Sequence, residues 1–304
     1  MTPFAGRDCI SIRDFGRAEI EHVLEEARRH DREYPTLLAD RVMGALFFEP
    51  STRTRLSFES AMHRLGGRVL GFADANVSST SKGESLADTM RMAACYCDLI
   101  VMRHPLEGAA RLAAEAVDVP VVNGGDGANQ HPTQTFLDLF TIREACGTLD
   151  GLHVAFVGDL KYGRTVHSLA SALAHFGTSM SFVSPPFLRL PPYLIDELGR
   201  TGISCHECER VEDVVGDADV LYVTRIQKER FGDPIEYDRV KGAYRIDRAL
   251  VERNPRVKVL HPLPRVDEIA TDVDTLPQAL YFAQAKNGVT VRKALLSLLL
   301  GRRP

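Results

Sequence analysis

Three hydroxyls and a guanidinium crowd into four consecutive positions, Ser51-Thr52-Arg53-Thr54, directly after an apolar run at 42–48 and Pro50. The first N–H groups of a helix have no partner within it and carry the positive end of its dipole. At a helix start these side chains would therefore hold an anion with several oxygens, phosphate being the obvious candidate. Ser and Thr are also ordinary helix caps, so capping alone accounts for part of the pattern. Arg53 tips the balance, because a cation at a helix N-terminus opposes the dipole by a few tenths to about 1 kcal/mol unless an anion lies between them. Lys82 repeats the pattern at the start of a later helix and offers a second hand on the same anion. Arg103 closes a strand at 98–105, the strand end at which α/β sheets place ligand-binding residues. His131 and Gln134 flank Pro132 at the start of another helix, where the dipole keeps a histidine neutral and able to give one hydrogen bond to a carbonyl.

A second group suits a ligand bearing carboxylates. Arg164 opens a helix after the strand at 153–159, while Arg225 and Gln227 leave the strand at 220–225. Two arginines at strand ends can each grip a carboxylate through paired hydrogen bonds, which fits a dicarboxylate such as aspartate. Gly158 and Gly163-Arg164-Thr165 come within one residue of the spacing of a nucleotide-hydrolase phosphate loop, with Arg164 where lysine is required. Bulky Leu160 and Tyr162 fill a loop that would need small residues, so Arg164 reads better as a carboxylate clamp. The charged segment 227–236, carrying Gly232-Asp233-Pro234, reads as a loop able to close over substrate. In His261-Pro262-Leu263-Pro264-Arg265 the prolines deny the chain regular structure, leaving the carbonyls of Pro262 and Leu263 to accept from a substrate amide. Cys205-His206-Glu207-Cys208 has metal-like spacing, but no second Cys/His pair stands at a suitable distance and no metal is expected.

These side chains need rigid elements to carry them. Phe58, Ala61, Met62 and Leu65 form one helical stripe that stops at Gly66-Gly67, so a helix starts at Ser51 or Thr52. Ile20, Val23, Leu24 and Ala27 make residues 17–29 an amphipathic packing helix. Ser81 and Glu84 form a capping box for a helix bearing Leu86, Met90 and Ala94, with Lys82 and Gly83 in its first turn. Apolar runs near 68–72, 119–122, 180–183 and 257–260 supply further strands that alternate with helices, and a last helix spans about 289–300.

At 304 residues the chain suits two α/β domains, each a parallel sheet flanked by helices. They are placed at 1–147, with the C-terminal helix 287–304 packing back on it, and at 148–286. A formal charge of -4 gives no reason to expect nucleic-acid binding. No apolar stretch approaches ~18 residues and no basic-then-apolar leader opens the chain, so neither a membrane span nor a signal peptide is indicated and the cytoplasm is the expected compartment. Six cysteines fit reduced thiols better than a disulfide framework.

Five strings, Ser51-Thr52-Arg53-Thr54-Arg55, His131-Pro132-Thr133-Gln134, Gly158 to Thr165, Thr224 to Arg230 and His261 to Arg265, resemble signatures of the carbamoyltransferase family, and of its aspartate branch in particular. They run in the same order and nearly end to end. The resemblance implies a carbamoyltransferase fold with a Rossmann-like second domain, a carbamoyl-phosphate-binding first domain and an aspartate-binding second one, facing each other across a cleft. It implies transfer of the carbamoyl group from carbamoyl phosphate to the α-amine of L-aspartate, in pyrimidine (UMP) biosynthesis, without cofactor. Thr54, Arg103 and His131 would stabilise the oxyanion, with Arg53 among the catalytic set; Ser51, Thr52, Arg53, Thr54 and Arg103, with Ser78 and Lys82 from a neighbouring subunit, would hold phosphate. Gln134, Pro262 and Leu263 would fix the carbamoyl nitrogen, and Lys82, Arg164, Arg225 and Gln227 would hold aspartate. The implied assembly is a homotrimer with shared active sites, which some members extend with regulatory chains to a dodecamer. The competing acceptor within the family is ornithine, whose enzymes carry a cysteine where Pro262 stands in the His-x-Leu-Pro string; outside it the alternatives are a nucleotide hydrolase and a non-catalytic phospholigand-binding module.

Overall fold

The computed structural model describes residues 4–30, 34–74, 83–226 and 244–302. The chain forms two compact units, residues 1–140 with 286–304, and residues 141–285.

In the first unit, the continuous apolar run gives β1 (Val42–Phe47), buried along nearly its whole length as a central parallel strand must be. It pairs with β2 (Arg68–Phe72) on one side and β3 (Leu99–His104) on the other, and β3 pairs with β4 (Val121–Asp126). Every pair is parallel, in the order β2-β1-β3-β4. Helix α1 (Arg17–Arg29) buries Ile20, Val23, Leu24 and Ala27, the expected stripe. Helix α2 (Thr52–Arg64) starts after Ser51 and buries Phe58, Ala61 and Met62. It stops at Gly66 with φ of 84°, where an added Cβ would lie 2.1 Å from the carbonyl oxygen of Pro35.

The next helix starts later than the capping box at Ser81 and Glu84 predicts. Helix α3 (Leu86–Ala94) is capped by Ser85, whose hydroxyl accepts from the Asp88 N–H at 3.1 Å. Glu84 instead accepts from the Thr89 hydroxyl at 2.8 Å, and Gly83 precedes the helix. Two Ser-x-x-acid strings, 81–84 and 85–88, follow one another here, and the one adjoining the apolar stripe caps the helix. Ser81 lies outside the described residues. Helices α4 (Ala109–Glu115) and α5 (Pro132–Cys146) complete the alternation in this part of the chain.

The second unit is built on β5 (His153–Val157), β6 (Ser179–Val183), β7 (Cys205–Cys208), β8 (Val220–Val223) and β9 (Lys258–Leu260), all parallel, in the order β7-β6-β5-β8-β9. Its helices include α6 (Arg164–Leu173), α7 (Pro192–Arg200) and the single turn α8 (Arg248–Val251). Val157, Val183, Leu221, Val223, Val259 and Tyr281 lie in its core. The pleat of β7 sends Cys205 and Cys208 to opposite faces of the sheet.

The last helix, α9 (Tyr281–Leu299), begins eight residues before the apolar pattern that announces it. Its first two turns carry Phe282, Gln284, Lys286 and Asn287, which lack helical hydrophobic periodicity. The divisions between the two units fall inside α5 and α9, which each carry the chain from one unit to the other as continuous helix. Among the described residues no helix is long and apolar enough to cross a membrane.

Candidate active site

Each sheet has one place where strand order reverses. In the first unit the chain moves from β1 outward to β2, then returns to β3 and goes on to β4, so the reversal lies between β1 and β3. In the second unit it lies between β5 and β8. Parallel sheets open a crevice for ligand at the C-terminal ends of the strands flanking such a point. The phosphate-type residues follow β1 or stand at the end of β3, and the two arginines follow β5 and β8.

Register sets the first group. Phe47 at the end of β1 pairs with Arg103 on β3, and the Phe48 N–H donates to the Arg103 carbonyl at 2.9 Å. Ser51 takes an extended backbone as N-cap of α2, and its hydroxyl makes no capping hydrogen bond. Among the described residues, neither the Ser51 and Thr52 hydroxyls nor the Arg53 guanidinium has a hydrogen-bond or ion-pair partner. Arg55, two positions on, is committed to Glu59 at 2.6 Å. Solvent reaches Arg53, yet protein atoms surround it, and that partial desolvation, reinforced by the charge of nearby Arg103, lowers its pKa from the ordinary arginine value. Arg103 donates through Nε to Glu49 at 2.6 Å and through Nη1 to the Gly124 carbonyl at 3.3 Å. Two guanidiniums thus stand near one another at a helix N-terminus, and Glu49 pairs with Arg103 alone, an arrangement that calls for a further anion.

Thr54 and His131 complete this side. Both are buried, and Thr54 Oγ1 lies 3.4 Å from His131 Nε2. Gly124 adjoins them: a Cβ there would lie 3.5 Å from the Thr54 methyl and 3.0 Å from the Met102 carbonyl oxygen. The loop that brings His131 into place is organised by Asp126, 1% exposed, whose carboxylate accepts from Asn123 Nδ2, Gly108 N, Asn129 Nδ2 and Gln130 N at 2.8–3.0 Å. Pro132 is the first residue of α5, and the His131 carbonyl accepts from Gln134 N at 3.0 Å and Thr135 N at 3.2 Å. Gln134 Nε2 donates to Asp138 Oδ1 at 2.8 Å.

In the second unit the loop after β5 is filled by its own side chains. Leu160 is fully buried, its N–H donates to the Leu188 carbonyl at 3.1 Å, and its carbonyl lies 2.8 Å from His167 Nε2. The Tyr162 N–H turns back to Asp159 Oδ1 at 3.0 Å. Gly158 has φ of 116° and is pressed against β8, where an added Cβ would lie 2.3 Å from the Thr224 carbonyl oxygen. A phosphate cradle would need that space, so the filled loop favours the clamp reading of Arg164 over the hydrolase one. Arg164 is the first residue of α6 and Arg225 follows β8 after Thr224; both are half-buried. On the next strand end, His261 is buried, lies 2.7 Å from Glu268 Oε1 through Nε2, and accepts the Leu263 N–H at 2.8 Å through Nδ1. Leu263 holds φ of 59°, unusual for a residue with a side chain, and the Leu263–Pro264 bond is cis. Burial raises the Glu268 pKa, but hydrogen bonding and charge from His261 outweigh it, so the carboxyl is held below its usual range.

The predicted residues therefore gather in two groups. Ser51, Thr52, Arg53, Thr54, Arg103, His131 and Gln134 meet in the first unit; Arg164, Arg225, Pro262 and Leu263 follow three adjacent strands of the second. Ser78, Lys82 and Gln227 lie outside the described residues.

Residues 7–144 match the family model for the carbamoyl-P binding domain of aspartate/ornithine carbamoyltransferases, and residues 150–299 match the model for their Asp/Orn binding domain. The chain belongs to the aspartate/ornithine carbamoyltransferase family. Among curated carbamoyltransferases, the aspartate carbamoyltransferase catalytic subunit of Methanopyrus kandleri is 57% identical over 307 residues, 99% of each chain. Among solved carbamoyltransferase structures, the catalytic subunit of M. jannaschii aspartate transcarbamoylase superimposes with a TM-score of 0.92 at 54% identity, covering 97% of this chain and 98% of that one. The Trypanosoma cruzi aspartate transcarbamoylase solved with N-(phosphonacetyl)-L-aspartic acid gives 0.93 at 39% identity, over 99% and 98% of the two chains.

Four residues that hold the predicted groups in place escape the sequence reading: Glu49, which pairs with Arg103; Asp126; Asp138; and Glu268. Asp138 left a trace, a Gln-Asp pair at i,i+4 on a helix whose first eleven residues carry no polar face, since all of 132–142 are buried.

Proposed function

We propose that this chain transfers the carbamoyl group of carbamoyl phosphate to the α-amine of L-aspartate, giving N-carbamoyl-L-aspartate and phosphate, in pyrimidine biosynthesis. The observation that carries this reading is the placement of two anion grips, Arg53 with the Ser51 and Thr52 hydroxyls at the reversal point of one sheet, and Arg164 with Arg225 at that of the other. Relatives named aspartate carbamoyltransferase, aligned over essentially the whole chain, support the same acceptor. So does Pro262, which stands where an ornithine enzyme would carry cysteine.

The aspartate amine attacks the carbamoyl carbon, and its lone pair becomes the new C–N bond while charge moves to the carbamoyl oxygen. Thr54, His131 and Arg103 supply the hydrogen-bond donors and positive charge for that oxygen; one such donor is worth roughly 3 to 4 kcal/mol in enzymes where it has been removed. The C–O bond to phosphate then breaks, and the leaving phosphate, held by Ser51, Thr52 and Arg53, takes the proton released by the amine. Gln134 and the Pro262 and Leu263 carbonyls receive the carbamoyl NH2, and Arg164, Arg225 and Gln227 hold the two carboxylates of aspartate. Positioning two substrates supplies much of the acceleration.

The active form is a homotrimer in the cytoplasm, in which Ser78 and Lys82 reach a neighbour's site, and which regulatory chains can join into a dodecamer. The reading is tested by incubating the purified chain with labelled carbamoyl phosphate and aspartate, ornithine or ATP in turn. Label is expected in carbamoyl-aspartate alone; transfer to ornithine, or ATP hydrolysis without carbamoyl transfer, would overturn it.

A further inference from the structure

Behind the carbamoyl-phosphate residues lie two buried side chains of opposite charge that the reaction does not touch. Asp138 on α5 and Arg292 on α9 are both buried, Arg292 only 3% exposed. Burial lowers the Arg292 pKa to about 10 and the charge of Asp138 opposes that shift, so the guanidinium stays cationic at neutral pH. Arg292 stacks over the Phe58 ring of α2 at 4.8 Å and donates to Thr133 Oγ1 at 3.5 Å; that hydroxyl in turn lies 3.5 Å from His131 Nδ1. Gly288, one turn earlier on α9, leaves the room Arg292 occupies, since a Cβ there would lie 2.4 Å from Nη1.

Asp138 faces the other way as well, accepting from Gln134 Nε2 at 2.8 Å. An ionised carboxylate only accepts hydrogen bonds, so it decides which end of the Gln134 amide is turned inward. The NH2 end is committed to Asp138, and Gln134 Oε1 has no partner among the described residues. An oxygen offered to the site recognises a donor such as the NH2 of a carbamoyl group. The methyl of acetyl phosphate, otherwise the same acyl phosphate, gives it nothing.

We propose that Asp138, through its hydrogen bond to the Gln134 NH2, is a specificity-positioning residue: it locks the Gln134 amide with its oxygen outward and so makes the site choose carbamoyl phosphate over acetyl phosphate. This rests on the carbamoyl-transfer reading above. The test compares the wild-type full chain with Asp138→Asn, whose amide can pair with Gln134 in either orientation. Three quantities are measured: KM for carbamoyl phosphate, Ki of acetyl phosphate against it, and Ki of inorganic phosphate. Asp138→Asn is expected to raise the first and narrow its ratio to the second by about tenfold, the worth of one hydrogen bond, with the third unchanged because phosphate is held elsewhere. An unchanged ratio, or an equal loss for inorganic phosphate, overturns the proposal. Should the single variant fail to fold because Arg292 is left uncompensated, Asp138→Asn with Arg292→Met removes the buried charge and is expected to show the same narrowed ratio; wild-type discrimination in it overturns the proposal. A wild-type chain that makes no carbamoyl-aspartate would instead overturn the parent reading.

Discussion

Arg53 and Arg55 stand two positions apart at the start of α2 and have opposite fates. Arg55 sits one helical turn from Glu59 and closes an i,i+4 pair at 2.6 Å, worth a few tenths of a kcal/mol. Arg53 lies in the first turn within reach of the Arg103 charge and with no carboxylate of its own among the described residues, a position that raises the energy of the empty protein and suits an anion. Arg53→Ala is therefore expected to lower kcat/KM by about 10²- to 10³-fold while far-UV circular dichroism and Tm hold steady. Arg55→Ala is expected to leave kinetics within a few-fold. Equal kinetics for Arg53→Ala and the wild type would remove it from the phosphate site. Arg53 was legible because its helix signature is local: hydroxyls, cation and apolar stripe lie within fifteen positions. Arg292 was not, because nothing in its own neighbourhood announces a partner on α5; only the fold brings Asp138 to it.

At the scale of elements, hydrophobic period and turn residues reveal α1, α2 and most strands, since each buries one regular stripe or run. The start of α9 is hidden because its first turns carry no such stripe, and the start of α3 is obscured by two consecutive Ser-x-x-acid strings. Helix α1 ends on His30, which is fully buried, 3.9 Å from Glu26 Oε1, and has neither ring nitrogen hydrogen-bonded among the described residues. Burial, with the charge of Lys293 on α9, lowers its pKa to about 4. The unfolded chain, with an ordinary histidine near 6.5, therefore binds more protons than the folded one between these two values. This contribution is fully present above about pH 6.5 and is lost as pH falls toward 4, by about 3 kcal/mol at most. His30→Leu is expected to flatten that acid limb in a Tm-against-pH series. A limb as steep as the wild type would assign the acid loss to other groups.

At the scale of the whole molecule, the length and the alternation of strands and helices were enough to see two α/β units. Parallel sheets need crossover helices, and their strand ends are where binding residues collect. Strand order, which places each grip at a reversal point, had to come from the fold. The proposed trimer makes a prediction of its own. Arg53→Ala disables the site a chain contributes most of, and Lys82→Ala disables what it lends to a neighbour. Mixing the two inactive variants and reassembling them is expected to restore measurable activity, because some mixed sites draw every residue from intact chains. Mixed trimers confirmed by native mass spectrometry yet inactive would contradict shared sites.

The first unit opens the chain and also closes it, with residues 286–304 returning to it after all of residues 141–285. Those last residues include Val291, Ala294, Leu295, Leu296, Leu298 and Leu299, all essentially inaccessible to water, together with Arg292. During synthesis the half of the protein that emerges first from the ribosome is therefore the half that must wait. At translation speeds of about 5–20 residues per second, the apolar surface destined for α9 stays uncovered for on the order of ten seconds while the intervening unit is made. The nascent carbamoyl-phosphate half should be the part of the chain that chaperones engage, and synthesis of α9, not completion of either sheet, is the event that lets it fold.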